Sequence, residues 1–170
     1  MFGLIYNSPT IGCFFMSKDY IRFLKNLKAY LSMPLTQIKK ENSKYINYIK
    51  DKLPDNCIIG SLGDIEIFFL HYNSFEDAKV KFERRTSRIN FNNMLVKFSD
   101  QNAFMDEDFY DFDQLDYVNK IFITTRKFSS KNTKIVVLED VWKSGFAKDD
   151  IKPSFKRINL KLLLNSMRTH

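Results

Sequence analysis

The sequence predicts an α/β domain in which a mixed, mainly parallel sheet is covered by helices. Three observations predict it. The stretch DIEIFFLHY (64–72) is apolar on both faces of an extended chain, with Ile65, Ile67 and Phe69 on one side and Phe68, Leu70 and Tyr72 on the other. Such a strand belongs in the middle of a covered sheet. From residue 64 to 125, segments of strand and helix character alternate, which argues for parallel strands joined by right-handed crossovers. The helix after the first of these strands has its own start signal, Ser74 as N-cap with Asp77 three residues on, the spacing of a capping box.

Taken in order, the chain opens with MFGLIYNSPTIGCFFMS, which has no charged side chain before Lys18. Asn7-Ser8-Pro9-Thr10 interrupts this run well short of the ~20 apolar residues of a membrane span, and no basic leader or small-residue cleavage site accompanies it. Strand, turn and a second apolar segment are expected instead, and no transmembrane segment elsewhere. Ser17 as N-cap, Asp19 in the first turn, and Tyr20, Ile21, Leu24, Leu27 and Leu31 at helical spacing predict an amphipathic helix over 18–32, ended by Pro34. Residues 36–52 are polar, with Ile38, Tyr45, Ile46 and Ile49 as apolar positions, and predict a weaker helix.

CIIGSLG (57–63) and DIEIFFLHY are two extended segments with a turn at Ser61 to Gly63. In the helix after Ser74, Phe75, Ala78, Phe82 and Ile89 form the apolar stripe. MLVKFSD (94–100) and KIFITT (120–125) are strands on either side of an acidic helix at about 106–116. KIVVLED (134–140) adds a strand, and RINLKLLLNS (157–166) a closing helix. With no repeat, low-complexity tract or linker, residues 1–170 are expected to be a single domain.

Composition is that of a folded protein, 44% hydrophobic and 15% aromatic, without the depletion of apolar residues that marks disorder. Cys13 and Cys57 sit in apolar surroundings with no Cys/His cluster to hold zinc, so reduced core thiols and a cytoplasmic location are expected. The net charge of +7 comes from scattered lysines at the two ends, whereas 101–120 is acidic. This is a solvated surface, not the Arg/Lys and aromatic interleaving of a nucleic-acid footprint. No phosphate-binding glycine loop, Gly-x-Ser-x-Gly or His-Glu-x-x-His is present, which removes the main support for those enzyme classes. The motifs specify no cofactor. Asp111-Phe112-Asp113 matches an Asp-x-Asp metal and sugar-nucleotide pattern, but three-residue patterns recur by chance and no metal site is assigned.

Ligands of open α/β sheets bind outside the carboxyl ends of the strands. If the three strands are parallel, those ends bring together His71 and Tyr72, Ser99 and Asp100, and Thr124, Thr125 and Arg126: a base, a carboxylate, hydroxyls and a cation. His71 has a structural alternative as a core histidine on the Ile65/Ile67/Phe69 face, and Asp100 as a turn residue at a strand end. Arg84, Arg85 and Arg88 share one flank of their helix at about 100° per residue. As the last turn of a crossover helix they are expected at the sheet edge away from His71 and Asp100. There they are either a phosphate grip or charges complementing the helix dipole.

YNSPTIGCFFMSKDYIRFLKNLKAYL, IGSLGDIEIFFLHYNSFEDAKVKFERRTSRINFNNMLVKFSD and FDQLDYVNKIFITTRKF together resemble the bacterial domain-of-unknown-function family numbered nineteen-nineteen, often labelled an exopolysaccharide-biosynthesis protein. The resemblance covers about residues 4–130. Its motifs fall on Asn7, Ser8 and Pro9; on Gly60, Leu62, Asp64, Glu66, His71 and Tyr72; and on Arg84, Arg85, Arg88, Asn90, Asn93 and Asp100. Phe82 stands where the family usually has Trp. The family's usual first strand and Asn/Cys/Trp/Gly-rich turn have no counterpart before MFGLIYNSP, so a truncated copy or misplaced start is expected, and an inactive protein if that turn belongs to the site.

The resemblance implies assembly of capsule or exopolysaccharide and brings no established catalytic residue with it. The expectation is a protein that binds a sugar nucleotide or phosphorylated sugar, in the manner of a glycosyltransferase. His71 would act as general base or hydrogen-bond partner, Asp100 would orient a sugar hydroxyl or a metal, and Arg126 would meet phosphate beside Tyr72 and Thr125. Arg85 and Arg88 offer a second phosphate-binding option. The alternative is a non-catalytic partner of polysaccharide-assembly proteins.

Overall fold

The structure, a computed structural model, describes residues 8–138. These fall into two units that divide between Ile89 and Asn90, and the α/β class holds. Two sheets replace the one expected. The opening residues 1–7, the end of the 134–140 strand and the 157–166 helix lie outside the described residues.

In the first unit, β1 (Cys13–Phe14), β2 (Thr36–Ile38), β3 (Ile58–Leu62) and β4 (Ile65–Phe69) form an antiparallel sheet in the order β1-β4-β3-β2. β3 and β4 are a tight hairpin, Leu62 opposite Ile65, with Gly63 at φ +57 in the turn. That left-handed conformation costs glycine no Cβ clash. β4 is buried at all five positions, as its two apolar faces require. On one face Phe68 and Ile59 pack with Met16 and Ile49. On the other, the Phe69 ring meets Phe82 edge to face at 6.3 Å.

The helix expected over 18–32 is two helices, α1 (Ser17–Lys25) and α2 (Leu27–Leu31), broken at Asn26. Met16, not Ser17, is its N-cap, and Ser17 is buried inside the first turn. The weak helix expected over 36–52 is instead β2, a 3₁₀ turn (Lys40–Asn42) and a short α3 (Ile46–Ile49). Tertiary partners account for the difference. Thr36 to Ile38 pair with β3, Lys40 donates to the carbonyls of Lys50 and Leu53, and Lys44 gives its backbone N–H to Glu66. A marginal helix gives way when its backbone groups find such partners. The helix after Ser74 forms as predicted: α4 (Phe75–Thr86) starts with the Ser74 hydroxyl accepting the Asp77 N–H at 3.1 Å, and buries Ala78 and Phe82.

The second unit holds β5 (Val96–Ser99), α5 (Asp106–Asp113), β6 (Lys120–Thr124) and β7 (Lys134–Val137). Its sheet is parallel, in the order β5-β6-β7. The aromatic side carries Phe98 and Phe122 packed with Phe104, Phe109 and Phe112 at centroid distances of 4.9 to 5.7 Å. Ile121, Ile123, Val136 and Leu138 form a separate buried aliphatic cluster. Because β6 alternates between them, a register slip would exchange phenylalanine for isoleucine on both sides. Among the described residues no helix is long and apolar enough to cross a membrane.

Candidate functional site

Strand ends concentrate polar groups in the parallel sheet of the second unit. β5 finishes at Ser99, and the next residue, Asp100, is fully buried. Its Oδ2 accepts three hydrogen bonds, from the Thr124 hydroxyl (2.8 Å), the Thr125 N–H (2.8 Å) and the Thr125 hydroxyl (3.1 Å). Thr124 Oγ1 in turn accepts the Arg126 N–H at 3.0 Å. One carboxylate oxygen therefore fixes the turn that carries Arg126. Asp100 Oδ1, equally buried, has no hydrogen-bond partner among the described residues. A buried carboxyl oxygen without a hydrogen-bond partner is costly, and this one stands at the carboxyl end of a strand of the parallel sheet.

Arg126 is half-exposed. Its guanidinium lies 5.0 Å from the Phe104 ring centroid and 5.4 Å from that of Phe128, and Nη1 donates to Asp106 Oδ1 at 2.5 Å. Asp106 opens α5, whose first turn also holds Glu107 and Asp108. Asp108 Oδ2 is occupied, accepting the Met105 N–H at 2.8 Å. The residues between Asp100 and α5 include Asn102 and Ala103, at φ +55 and +62. Two successive non-glycine residues in the left-handed region concentrate strain beside Asp100.

The sequence also brought His71 and Tyr72 to this edge, and that step rested on β4 running parallel with β5 and β6 in one sheet. β4 lies in the antiparallel sheet of the first unit instead, so the strand-end argument no longer joins His71 to Asp100. Nor is His71 a core histidine: it is exposed, at φ +64 in the turn after β4.

Tyr72 belongs to a different set. Its hydroxyl donates to the Ile11 carbonyl at 2.6 Å, and Arg85 Nη1 donates to both Tyr72 Oη (2.6 Å) and Ile11 O (2.9 Å). Gly12, at φ +72, lets the backbone pass here, since a Cβ would lie 3.1 Å from the Tyr72 ring. The expected separation of the arginines from the carboxyl end of β4 is thus corrected for Arg85. The reason is topological: β5 is not in β4's sheet, so α4 is under no constraint to run back to that sheet's amino edge. Arg84 and Arg88 stay exposed. Arg85 also neighbours Cys13, whose thiol burial pushes up to about 12, against a smaller opposing pull from the guanidinium. Cys13 and Cys57 are free thiols.

A buried polar cluster in the first unit escaped the sequence reading. Asp19 is 1% exposed; its Oδ1 accepts Lys44 Nζ at 2.8 Å and its Oδ2 accepts the Glu66 N–H at 2.8 Å. Glu66, also buried, accepts the Ser43 hydroxyl and the Lys44 N–H. Asp64 binds the Tyr30 hydroxyl and Arg22. The Tyr30 hydrogen bond, then Arg22, holds the Asp64 carboxyl below its ordinary range, while burial and Asp64 push Tyr30 up to about 12. Asp64 and Glu66 were visible as motif positions, but Asp19 read as an ordinary first-turn acid. Both carboxylate oxygens of Asp19 and of Glu66 have a donor, so the cluster joins α1 and residues 43–44 to β4 as a staple.

Asp111-Phe112-Asp113 resolves in the same way. Phe112 is buried, and Asp113 Oδ1 accepts the hydroxyls of Ser130 (2.5 Å) and Thr133 (2.6 Å), tying down the connection to β7. Among the described residues no group of three or more His, Cys, Asp or Glu is placed to hold a metal ion.

Comparison with known proteins gives a family match and a relative. A family model described as domain of unknown function (DUF1919) matches residues 1–164. An uncharacterized protein of Haemophilus influenzae (strain Rd) is similar at 32% identity over 123 residues, 72% of this chain and 53% of that protein. The chain therefore spans about half the length of this curated relative.

Proposed function

We propose, from the premise that this chain belongs to the domain-of-unknown-function family DUF1919, that it is a cytoplasmic protein of surface-polysaccharide biosynthesis which binds a sugar nucleotide or phosphorylated sugar. The binding edge is the carboxyl end of the parallel sheet. One observation carries the reading: the buried Asp100, with three donors on one oxygen and none on the other, sets the turn that presents Arg126. Arg126 meets phosphate, which takes over from Asp106, and Thr125 lines the approach. Asp100 Oδ1 accepts a sugar hydroxyl, a charge-assisted bond worth more than a neutral one. The carboxylate also suits it to orient an acceptor hydroxyl in a glycosyltransferase-like step. His71, Tyr72, Arg85 and Arg88 belong to the other unit and are secondary candidates, with His71 as base and the two arginines as a second phosphate grip.

A melting screen against UDP-, GDP- and CMP-linked sugars, with and without Mg²⁺ or Mn²⁺, tests the proposal. Ligand at 100 times its Kd adds ~2.7 kcal/mol of stability, which is several degrees for a domain of this size. Arg126→Ala and Asp100→Asn should each remove the shift, while His71→Ala should leave most of it. A flat panel on well-folded protein refutes sugar-nucleotide binding and leaves the non-catalytic role in a polysaccharide-assembly complex.

A further inference from the structure

We propose that the first unit carries a carboxylate-binding site of its own, formed by the open edge of the Arg85 guanidinium and held in place by the Tyr72 hydroxyl. The site does not depend on the Asp100 edge. It differs from the phosphate grip named above in taking one planar anion on Arg85 alone.

Arg85 is anchored at one nitrogen and open at the other two. A guanidinium carries five N–H donors in one plane. Nη1 uses both of its own on Ile11 O (2.9 Å) and Tyr72 Oη (2.6 Å). The three on Nε and Nη2 have no acceptor among the described residues. The buried side-chain atoms without partners there are Thr86 Oγ1 and Asp100 Oδ1, so Nε and Nη2 of the half-buried Arg85 reach solvent. Together they form the fork that receives the two oxygens of a carboxylate side by side.

The charge on that fork is unanswered. Arg22 and Arg126 are each paired with an aspartate, at 2.7 Å to Asp64 and 2.5 Å to Asp106. Among the described residues no carboxylate is ion-paired with Arg85, and Asp77 on the same helix holds Lys81 instead, at 2.9 Å. Both acceptors on Nη1 are neutral. Arg85 is also the one charged group that acts on the neighbouring Cys13 thiol, which agrees with the absence of an acid beside it. A partly desolvated cation with only neutral partners is costly, and an anion on the open edge offsets that cost.

Geometry gives Tyr72 its role and selects the class of anion. The phenol donates to Ile11 O at 2.6 Å and accepts from Nη1, so it clamps the guanidinium from the side away from the fork. Its ring is held in turn by Phe69, edge to face at 5.6 Å. Tyr72 is therefore a positioning residue: the fork is set before a ligand arrives, which reduces the entropy lost in ordering a long side chain. One guanidinium offers one charge and a matched pair of donors, and a carboxylate satisfies both. A phosphate monoester carries about −1.5 to −2 charges at pH 7 and calls for a second cation. Lys81 is taken by Asp77, and Arg88 is exposed with no side-chain partner to fix it among the described residues.

Titration of the whole chain with glucuronate tests the site, with glucose and inorganic phosphate at equal ionic strength for comparison. The Arg85 Nε–H signal in ¹H–¹⁵N spectra, identified by its loss in Arg85→Lys, should shift and saturate with glucuronate, stay in place with glucose, and respond to phosphate with weaker affinity. Saturation transfer from the protein to the glucuronate protons is a second readout. It should be present in wild type and absent in Arg85→Lys, which keeps the charge and loses the fork. Arg88→Ala should leave the glucuronate response unchanged, and Tyr72→Phe should raise the Kd about two- to tenfold, the range of one hydrogen bond. A shift that does not saturate, or saturation transfer that survives in Arg85→Lys, overturns the site. Phosphate binding as tight as glucuronate, or loss of the response in Arg88→Ala, overturns the choice of a carboxylate on Arg85 alone. An unchanged Kd in Tyr72→Phe overturns the clamp.

Discussion

Asp19 on α1 accepts the backbone N–H of Glu66 on β4 at 2.8 Å. β1 pairs with only Phe68 and Phe69 of β4, so the rest of that strand edge has no strand beside it. A side-chain carboxylate takes the place of the missing carbonyl there, and Lys44 compensates its charge. Buried backbone donors must be paired by something, and here the something comes from 47 positions away.

Asp19→Ala should therefore be destabilising well beyond the range of an ordinary surface change. Losing a charged acceptor strands the buried Glu66 N–H and leaves Lys44 with the Asp64 carbonyl and solvent, and the expected cost is about 2–4 kcal/mol. Asp19→Asn, which keeps an acceptor, should cost less. Urea denaturation of both variants checks the order.

Stability should fall as pH rises above about 9, beginning with Cys13. In the unfolded chain the thiol ionises at its ordinary 9.0, whereas burial holds it protonated to about 12 in the folded one. Its contribution is complete below 9.0 and is lost as pH climbs toward about 12. Tyr30, raised from 10.0 to about 12, adds a second loss that starts one unit higher. Urea midpoints measured every half unit from pH 7 to 11 should be level and then decline, and Cys13→Ala should make the decline between pH 9 and 10 shallower, the remainder coming from Cys57, whose thiol burial also raises.

Tyr72→Phe removes the donor to Ile11 O and an acceptor of Arg85, and should cost about 0.5–1.5 kcal/mol. Arg85→Ala should cost at least as much, because it releases two contacts to residues 11 and 72 at once. Arg84→Ala and Arg88→Ala, both at exposed positions, should stay within about 0.5 kcal/mol of wild type. Equal effects at all three arginines would refute the special place given to Arg85.

Ala103→Gly should leave stability unchanged or raise it by up to about 1 kcal/mol. Glycine removes the left-handed penalty at φ +62, offset in part by the entropy of a freer unfolded chain. Ala78→Gly, at a buried position within α4, should cost about 1 kcal/mol or more. Thermal melts should show Ala78→Gly lowered and Ala103→Gly not lowered.

Particular residues show how far the sequence reading reached. Ser74 and Asp77 marked the start of α4, because a cap is a local hydrogen bond between residues three apart. The pattern of 64–72 marked β4 as covered on both faces, and all five of its strand positions are buried. Asp100, Thr125 and Arg126 were placed together, because β5 and β6 are joined by one crossover and their ends must lie side by side. His71 was grouped with them by the same rule and does not follow it. Nothing in the residues of β4 states which sheet they join, since a doubly covered strand looks alike in parallel and antiparallel company.

Sequence by itself determined the local parts: the Ser74 cap, strand periodicity, the α/β class and the Asp100–Arg126 edge. Tertiary structure alone decided the rest. It divided the strands between two sheets and turned 36–52 from a marginal helix into strand and turn. It brought Arg85 to Tyr72 and buried Asp19 against β4. Each of these decisions rests on pairing between residues far apart in the chain. Short-range patterns carry the energy of a turn or a cap, but backbone edges and buried charges take whichever distant partner satisfies them.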